Sequence, residues 1–233
     1  NREMGVVLIT GANRGIGFEF ARQYAQEGVG VIATCRRPGE AKELSLLAEQ
    51  FSNLSIEQLD LSSDDDLQAL CLTLEKSKIQ LDILISNAGV LLNEKFGEWT
   101  RQKFADTFDV NVTGPAMLAQ SMLAFLSPTG KLVHLSSRLG SLELGGEGMA
   151  DADSYSISKA ALNMLIARLA SAFKGSSRCV VSLSPGWVAT DMGGASATLS
   201  AEESVSNMRW TIGALTVLDS GRFIDNQGHS IPW

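Results

Sequence analysis

Cysteine is scarce in this 233-residue chain: Cys35, Cys71 and Cys179 are an odd number and contain no Cys-x-x-Cys pair. That excludes a disulfide-framed fold and a cysteine-built metal knot. Each sits among apolar neighbours, so all three are expected as buried, reduced thiols. Histidine is scarcer, with His134 and His229 too far apart to share a metal at any local ligand spacing, and no metal site is expected. Basic charge is in deficit, 19 Lys and Arg against 26 Asp and Glu for a net charge of −7. A nucleic acid or an anionic membrane surface would need a basic patch, so neither is expected as a partner. No uninterrupted apolar run approaches the roughly 18 residues of a membrane span, and no basic stretch leads into an apolar one near the start. The chain therefore reads as cytoplasmic. Repeats, low-complexity tracts and interdomain linkers are also missing, and 1–233 reads as one domain around a single well-buried core.

What the chain has is alternation. Strand-like runs at Val6–Thr10, Val31–Thr34, Leu54–Leu59, Leu81–Ser86, Lys131–Leu135, Val180–Leu183 and Arg222–Ile224 are separated by helical patterns. Strand and helix in turn predict an α/β fold, a single-domain Rossmann-type doubly wound parallel sheet of about seven strands with helices on both faces. Its ligand crevice should lie at the C-terminal strand edges beside the first strand. The run Asp64-Asp65-Asp66 fits a helix N-terminus, where carboxylates meet the positive end of the dipole.

The first strand runs into Thr10-Gly11-Ala12-Asn13-Arg14-Gly15-Ile16-Gly17. Glycines at such a turn let backbone amides approach a pyrophosphate at a helix N-terminus. The segment alone also fits an ordinary glycine-rich turn. Further on, Tyr155-Ser-Ile-Ser-Lys159 sets a phenol and an ammonium on one helical face. A lysine beside the phenol favours the phenolate and brings proton exchange closer to neutral pH. By themselves these two residues fit an exposed structural pair better than a catalytic one.

Together the two segments resemble the short-chain dehydrogenase/reductase family, and the resemblance runs over essentially the whole chain. Asp60 stands where the family places an aspartate beside the adenine, with Leu61 next to it. Ser86-Asn87-Ala88-Gly89 matches the family's Asn-Asn-Ala-Gly after the fourth strand, with Ser86 for the first Asn. Asn111 matches the tetrad asparagine, set in a distorted stretch of helix, and Ser137 is favoured over Ser136 as the serine closing the fifth strand. Ser184-Pro185-Gly186-Trp187-Val188-Ala189-Thr190 resembles the segment that contacts the nicotinamide end. Within the family, the Pro-Gly-Trp run and the C-terminal Gly228–Trp233 look most like the carbonyl-reductase branch that includes sniffer-like and C-factor-like proteins.

The resemblance implies hydride transfer between a nicotinamide and a ketone, aldehyde or quinone. It makes Asn111, Ser137, Tyr155 and Lys159 the catalytic set: Tyr155 the general acid, Ser137 a donor to the carbonyl oxygen, Lys159 a ribose ligand, and Asn111 part of a water-linked proton relay. Cofactor contacts are expected from Gly11, Asn13, Arg14, Gly15, Ile16 and Gly17, from Arg36, Asp60 and Leu61, from Asn87, Ala88 and Gly89, from Tyr155 and Lys159, and from Pro185, Gly186, Val188 and Thr190. C-factor resemblance also permits a cofactor-binding signalling protein with little turnover.

The second strand ends in Thr34-Cys35-Arg36-Arg37 with no acid to meet the ribose hydroxyls of NAD. Arg36, with Arg14 and with Arg37 as a further candidate, can instead meet the 2'-phosphate of NADP(H), which is the expected preference. His134, inside a strand, reads as a packed side chain. Trp187 is divided between packing and the substrate pocket. Gly145–Gly148 and Gly193–Ser200 read as mobile loops, and 139–153 with 192–203 as the substrate rim. Helices over Thr100–Leu126 and Ser154–Phe173 carry apolar residues beyond one stripe, Phe104, Met117, Met122, Met164 and Leu165 among them, and predict a homodimer.

Overall fold

The computed structural model describes residues 5–145 and 148–233. Seven strands, β1 (Val6–Ile9), β2 (Gly30–Cys35), β3 (Leu54–Gln58), β4 (Leu81–Ser86), β5 (Leu126–Leu135), β6 (Cys179–Ser184) and β7 (Phe223–Asp225), form one parallel sheet in the order β3-β2-β1-β4-β5-β6-β7. The chain winds outward from β1 to β3, crosses back to set β4 against the free side of β1, and winds outward again. The connections leaving β1 and β4 turn to opposite faces of the sheet, which makes the crevice expected from the sequence.

The parallel sheet is covered on both faces, so its strands are apolar on alternate and intervening positions alike. Val7 and Ile9 of β1 point into one layer with Phe20, Leu44, Val181 and Met208. Leu8 points into the other with Leu70, Leu84, Leu118 and Ile166. The core is therefore two layers divided by the sheet, where composition suggested one. The first layer is closed by α1 (Gly15–Gln26), α2 (Lys42–Gln50) and α7 (Ala201–Ala214), the second by α3 (Asp64–Lys76), α5 (Gly114–Met122) and α6 (Asp153–Ala172).

Asp64, Asp65 and Asp66 fill the first turn of α3, capped by the Ser63 hydroxyl, which accepts from the Asp66 amide at 3.1 Å. The predicted helix over Thr100–Leu126 is interrupted: α4 (Arg101–Phe108) passes into a π-helical turn at Asp109–Thr113 before α5 resumes. A π turn adds a residue to the helix and re-aims the turns beyond it. Met122, expected on the outer face, is 1% exposed and packed in the second layer, whereas Met164 is 64% exposed. Cys35 and Cys179 are buried; Cys71 is only half-buried, because it lies on α3 one position past the core residue Leu70. Gly193–Ser200 is irregular. Of the other expected loop, Gly146 and Glu147 lie outside the described residues. No helix among those described is long and apolar enough to cross a membrane.

Candidate active site

A cleft of about 980 Å³ opens along the C-terminal edges of β1, β2, β4 and β5. Its floor is the glycine turn, and Gly11, Asn13, Arg14, Gly15 and Ile16 all line it. Gly17 lies behind the floor and lets the start of α1 approach it: a Cβ there would collide with the Gly11 carbonyl and the Asn87 side chain. The Thr10 hydroxyl accepts from the amides of Asn87 (3.0 Å) and Ala88 (3.1 Å), and Asn87 Nδ2 donates to the Thr10 and Gly11 carbonyls at 3.0 and 3.1 Å. These four bonds clamp the end of β1 to the end of β4, so the turn is fixed before any ligand arrives. A floor of backbone amides at a helix N-terminus suits a pyrophosphate.

At one end of the cleft stand Arg36, Asp60 and Leu61, as expected, but also Glu40 and Glu43, which no motif in the sequence pointed to. Arg37 pairs with Glu40 at 3.4 Å, whereas Arg36 forms no ion pair among the described residues. Asp60 Oδ1 accepts from the Ser62 amide at 3.0 Å, shaping the loop after β3. Arg14 spans the mouth to Asp191 at 3.4 Å, both of them exposed. Pro185 and Thr190 line the far wall; Gly186 and Val188 do not, Val188 being 4% exposed behind it.

At the other end lie Tyr155 and Lys159 of α6, 9% and 5% exposed. Lys159 Nζ donates to the Leu135 carbonyl at 2.9 Å and sits 5.5 Å from the centre of the Tyr155 ring. Burial pushes the Tyr155 phenol up to about 12, with a hydrogen bond from Ser137 pulling the other way. Burial brings Lys159 down to about 8. Desolvation of the nearly buried phenol is the largest influence on Tyr155, while the Lys159 ammonium is held at the ring face and turned to a backbone carbonyl.

Ser137 and Asn111 stand behind this end of the cleft. Ser136 is committed elsewhere, its hydroxyl donating to Asn163 at 2.7 Å. The Ser137 hydroxyl accepts from the Leu139 amide at 3.1 Å, which leaves its proton free to be donated. Asn111, fully buried in the π turn, is tied through both ends of its amide: Oδ1 accepts from the Val90 amide at 2.9 Å, while Nδ2 donates to the Val90 carbonyl at 2.9 Å and to Ser158 Oγ at 3.0 Å. It joins the loop after β4 to α6.

The model of the short chain dehydrogenase family matches residues 5–199. The chain belongs to that family. Among the relatives of this short-chain dehydrogenase is the C-signal protein of Myxococcus xanthus, 41% identical over 156 residues, which are 66% of this chain and 93% of the relative. The carbonyl reductase Sniffer of D. melanogaster has a TM-score of 0.92 at 31% identity, over 99% of this chain and 100% of that one. The NADPH-bound carbonyl reductase from chicken fatty liver has a TM-score of 0.91 at 31% identity over the same shares. The dehydrogenase assignment rests on length as well as on motifs.

Two supports of this short-chain dehydrogenase's site carry no motif. Glu94, fully buried, accepts the Ser154 amide on Oε1 at 2.8 Å and the Asp153 amide on its carbonyl at 3.3 Å, capping α6 just before Tyr155. His134 is fully buried beneath the site, both ring nitrogens without a partner among the described residues, and burial, with the Lys159 charge, brings it down to about 3. The packed reading of His134 agrees with this. Trp187 is half-exposed, its Nε1 donating to the Gly193 carbonyl at 2.7 Å and so bracing the rim.

Proposed function

We propose that this short-chain dehydrogenase is an NADPH-dependent reductase of small carbonyl compounds (ketones, aldehydes or quinones), with 1–233 as one cofactor-binding domain. The observation that carries the reading is that a buried phenol with a serine donor, backed by a buried ammonium, faces the same cleft as a glycine turn and Arg36, which has no ion-pair partner among the described residues. A bound nicotinamide supplies the hydride. Tyr155 gives its proton to the substrate oxygen, and Ser137 donates a hydrogen bond to that oxygen as charge develops. Lys159 holds the ribose, and Asn111 links Lys159 to solvent through water. Gly186, Val188 and Gly17 act from behind the wall and floor, by shaping the backbone that the cofactor meets.

Preference for NADPH over NADH rests first on Arg36, since Glu40 engages Arg37 and Asp191 engages Arg14, each at 3.4 Å; Arg14 adds its charge at the mouth. Fluorescence titration should give tighter NADPH binding in the unmodified protein and the reverse in Arg36→Asp; equal affinities in the unmodified protein would overturn the preference. A panel of carbonyls and quinones tests the reaction.

The identity with C-signal favours a second reading, a cofactor-binding signalling protein with little turnover. Tight NADPH binding with no substrate reduced across the panel would select it. We further propose a cytoplasmic location, supported by three free thiols. A homodimer is supported by exposed Met117, Leu123 and Met164 on the α5 and α6 side; light scattering that returns the mass of one chain would reject it.

A further inference from the structure

We infer that the segment Ile231–Trp233 is a strap that holds the turn after β5, with Ser141 and Trp233 acting as positioning residues for the Ser137 hydroxyl. Three donors of that turn converge on the Trp233 carbonyl oxygen: Ser141 Oγ at 3.1 Å, the Leu142 amide, and the Glu143 amide at 3.3 Å. The strap is itself fixed to the sheet. Ile231 is 5% exposed, its amide donates to the Phe223 carbonyl of β7 at 2.8 Å, and the Trp233 ring lies on Phe223 with centroids 5.6 Å apart.

The same turn orients Ser137. The Gly140 amide donates to the Ser137 carbonyl at 2.9 Å, the Ser141 amide to the Arg138 carbonyl at 3.0 Å, and the Leu139 amide to Ser137 Oγ at 3.1 Å. Its inner side is pressed against α6, where a Cβ on Gly140 would lie 2.8 Å from the Lys159 Cβ. Its outer side is exposed at Arg138 and Leu142. Between the helix and the strap the turn has one position, and with it the Leu139 amide that directs the Ser137 proton. Without the strap, only the inner contact remains.

The kinetic part of this inference rests on the reductase reading, so the test pairs turnover with a measurement that needs none. Trp233→Ala removes the ring contact and keeps the backbone, Trp233→Phe keeps an aromatic ring on Phe223, and Ser141→Ala deletes one of the three donors. In Trp233→Ala the amides of Leu142 and Glu143 should exchange with solvent about ten-fold faster. Its kcat for carbonyl reduction should fall by about ten-fold, because a small displacement of a reacting group has a large effect on rate. NADPH affinity should stay within about two-fold, since Ile231, Pro232 and Trp233 do not line the cleft, and Trp233→Phe should restore both exchange and kcat. Ser141→Ala should move in the same direction by less. Unchanged amide exchange in Trp233→Ala overturns the strap whatever the activity. So does faster exchange with unchanged kcat, or a parallel loss of NADPH affinity, which would signal general loosening. An unmodified protein that reduces no carbonyl sinks the reductase reading alone.

Discussion

At the scale of single residues, the site has a phenol that stays protonated and an ammonium that does not stay charged throughout the working range. With Tyr155 pushed up to about 12, the phenol proposed as the acid is protonated at every ordinary pH, and its removal should be felt in chemistry and not in folding. Tyr155→Phe is expected to fold, to bind NADPH and to lose about two to four powers of ten in kcat for carbonyl reduction; near-normal turnover would remove Tyr155 from the mechanism. Lys159, at about 8, would on the proposed mechanism set the upper limit of pH. Its charge is present below that value and lost above it, so kcat/KM for reduction should decline as pH rises through about 8. Lys159→Ala should show lower turnover and weaker cofactor binding, with that decline gone from its pH profile. A profile of Lys159→Ala with the same decline would assign the titration to another group.

At the scale of elements, the start of α6 decides where Tyr155 stands. Its Ncap, Ala152, offers no side-chain acceptor, and Glu94 supplies one from 60 residues away. Glu94→Ala would leave the buried Ser154 amide unpaired and is expected to lower stability by about 1–3 kcal/mol in urea unfolding, with Glu94→Gln retaining most of it. Equal losses in both variants would show that the charge, and not the acceptor, matters. This element also marks where the sequence stops being readable. The strands were legible because burial on both faces writes continuous apolar runs; the start of α3 and the glycine turn were legible because the acidic run and the glycines that mark them are local. Glu94 was not, since its partner is distant in the chain and any acceptor would do. Nor was the inner placement of Met122: Met117 of the same helix is exposed as expected, and the π turn at Asp109–Thr113, which sets the face that α5 turns inward, has no mark in the apolar pattern. Asn111 and Ser137 were legible only as parts of a family pattern, because nothing in their own neighbours distinguishes a tetrad amide from an ordinary one.

At the scale of the whole molecule, His134 makes the fold sensitive to acid. Its ring is neutral in the core down to about pH 3, whereas the unfolded chain protonates it near 6.5. Stability is therefore full above about 6.5 and declines as pH falls toward 3, because the unfolded state takes up the proton first. The urea midpoint should drop between about pH 6.5 and 4.5, and His134→Leu, which cannot titrate, should flatten that drop; parallel declines would exonerate the histidine. The clamp between Thr10 and Asn87 has a different kind of consequence. These residues are 77 positions apart, and the strands they end are the ones that join the two windings of the sheet. Pairing over such a separation is slow to form, so a refolding chain gains its helices well before it gains a cleft. Affinity for NADPH then reports the last joining event, and the regain of cofactor fluorescence should lag behind the regain of helical circular dichroism. A nucleotide that binds only the joined form draws the chain through that step by mass action, which makes the cofactor a folding partner as well as a reagent.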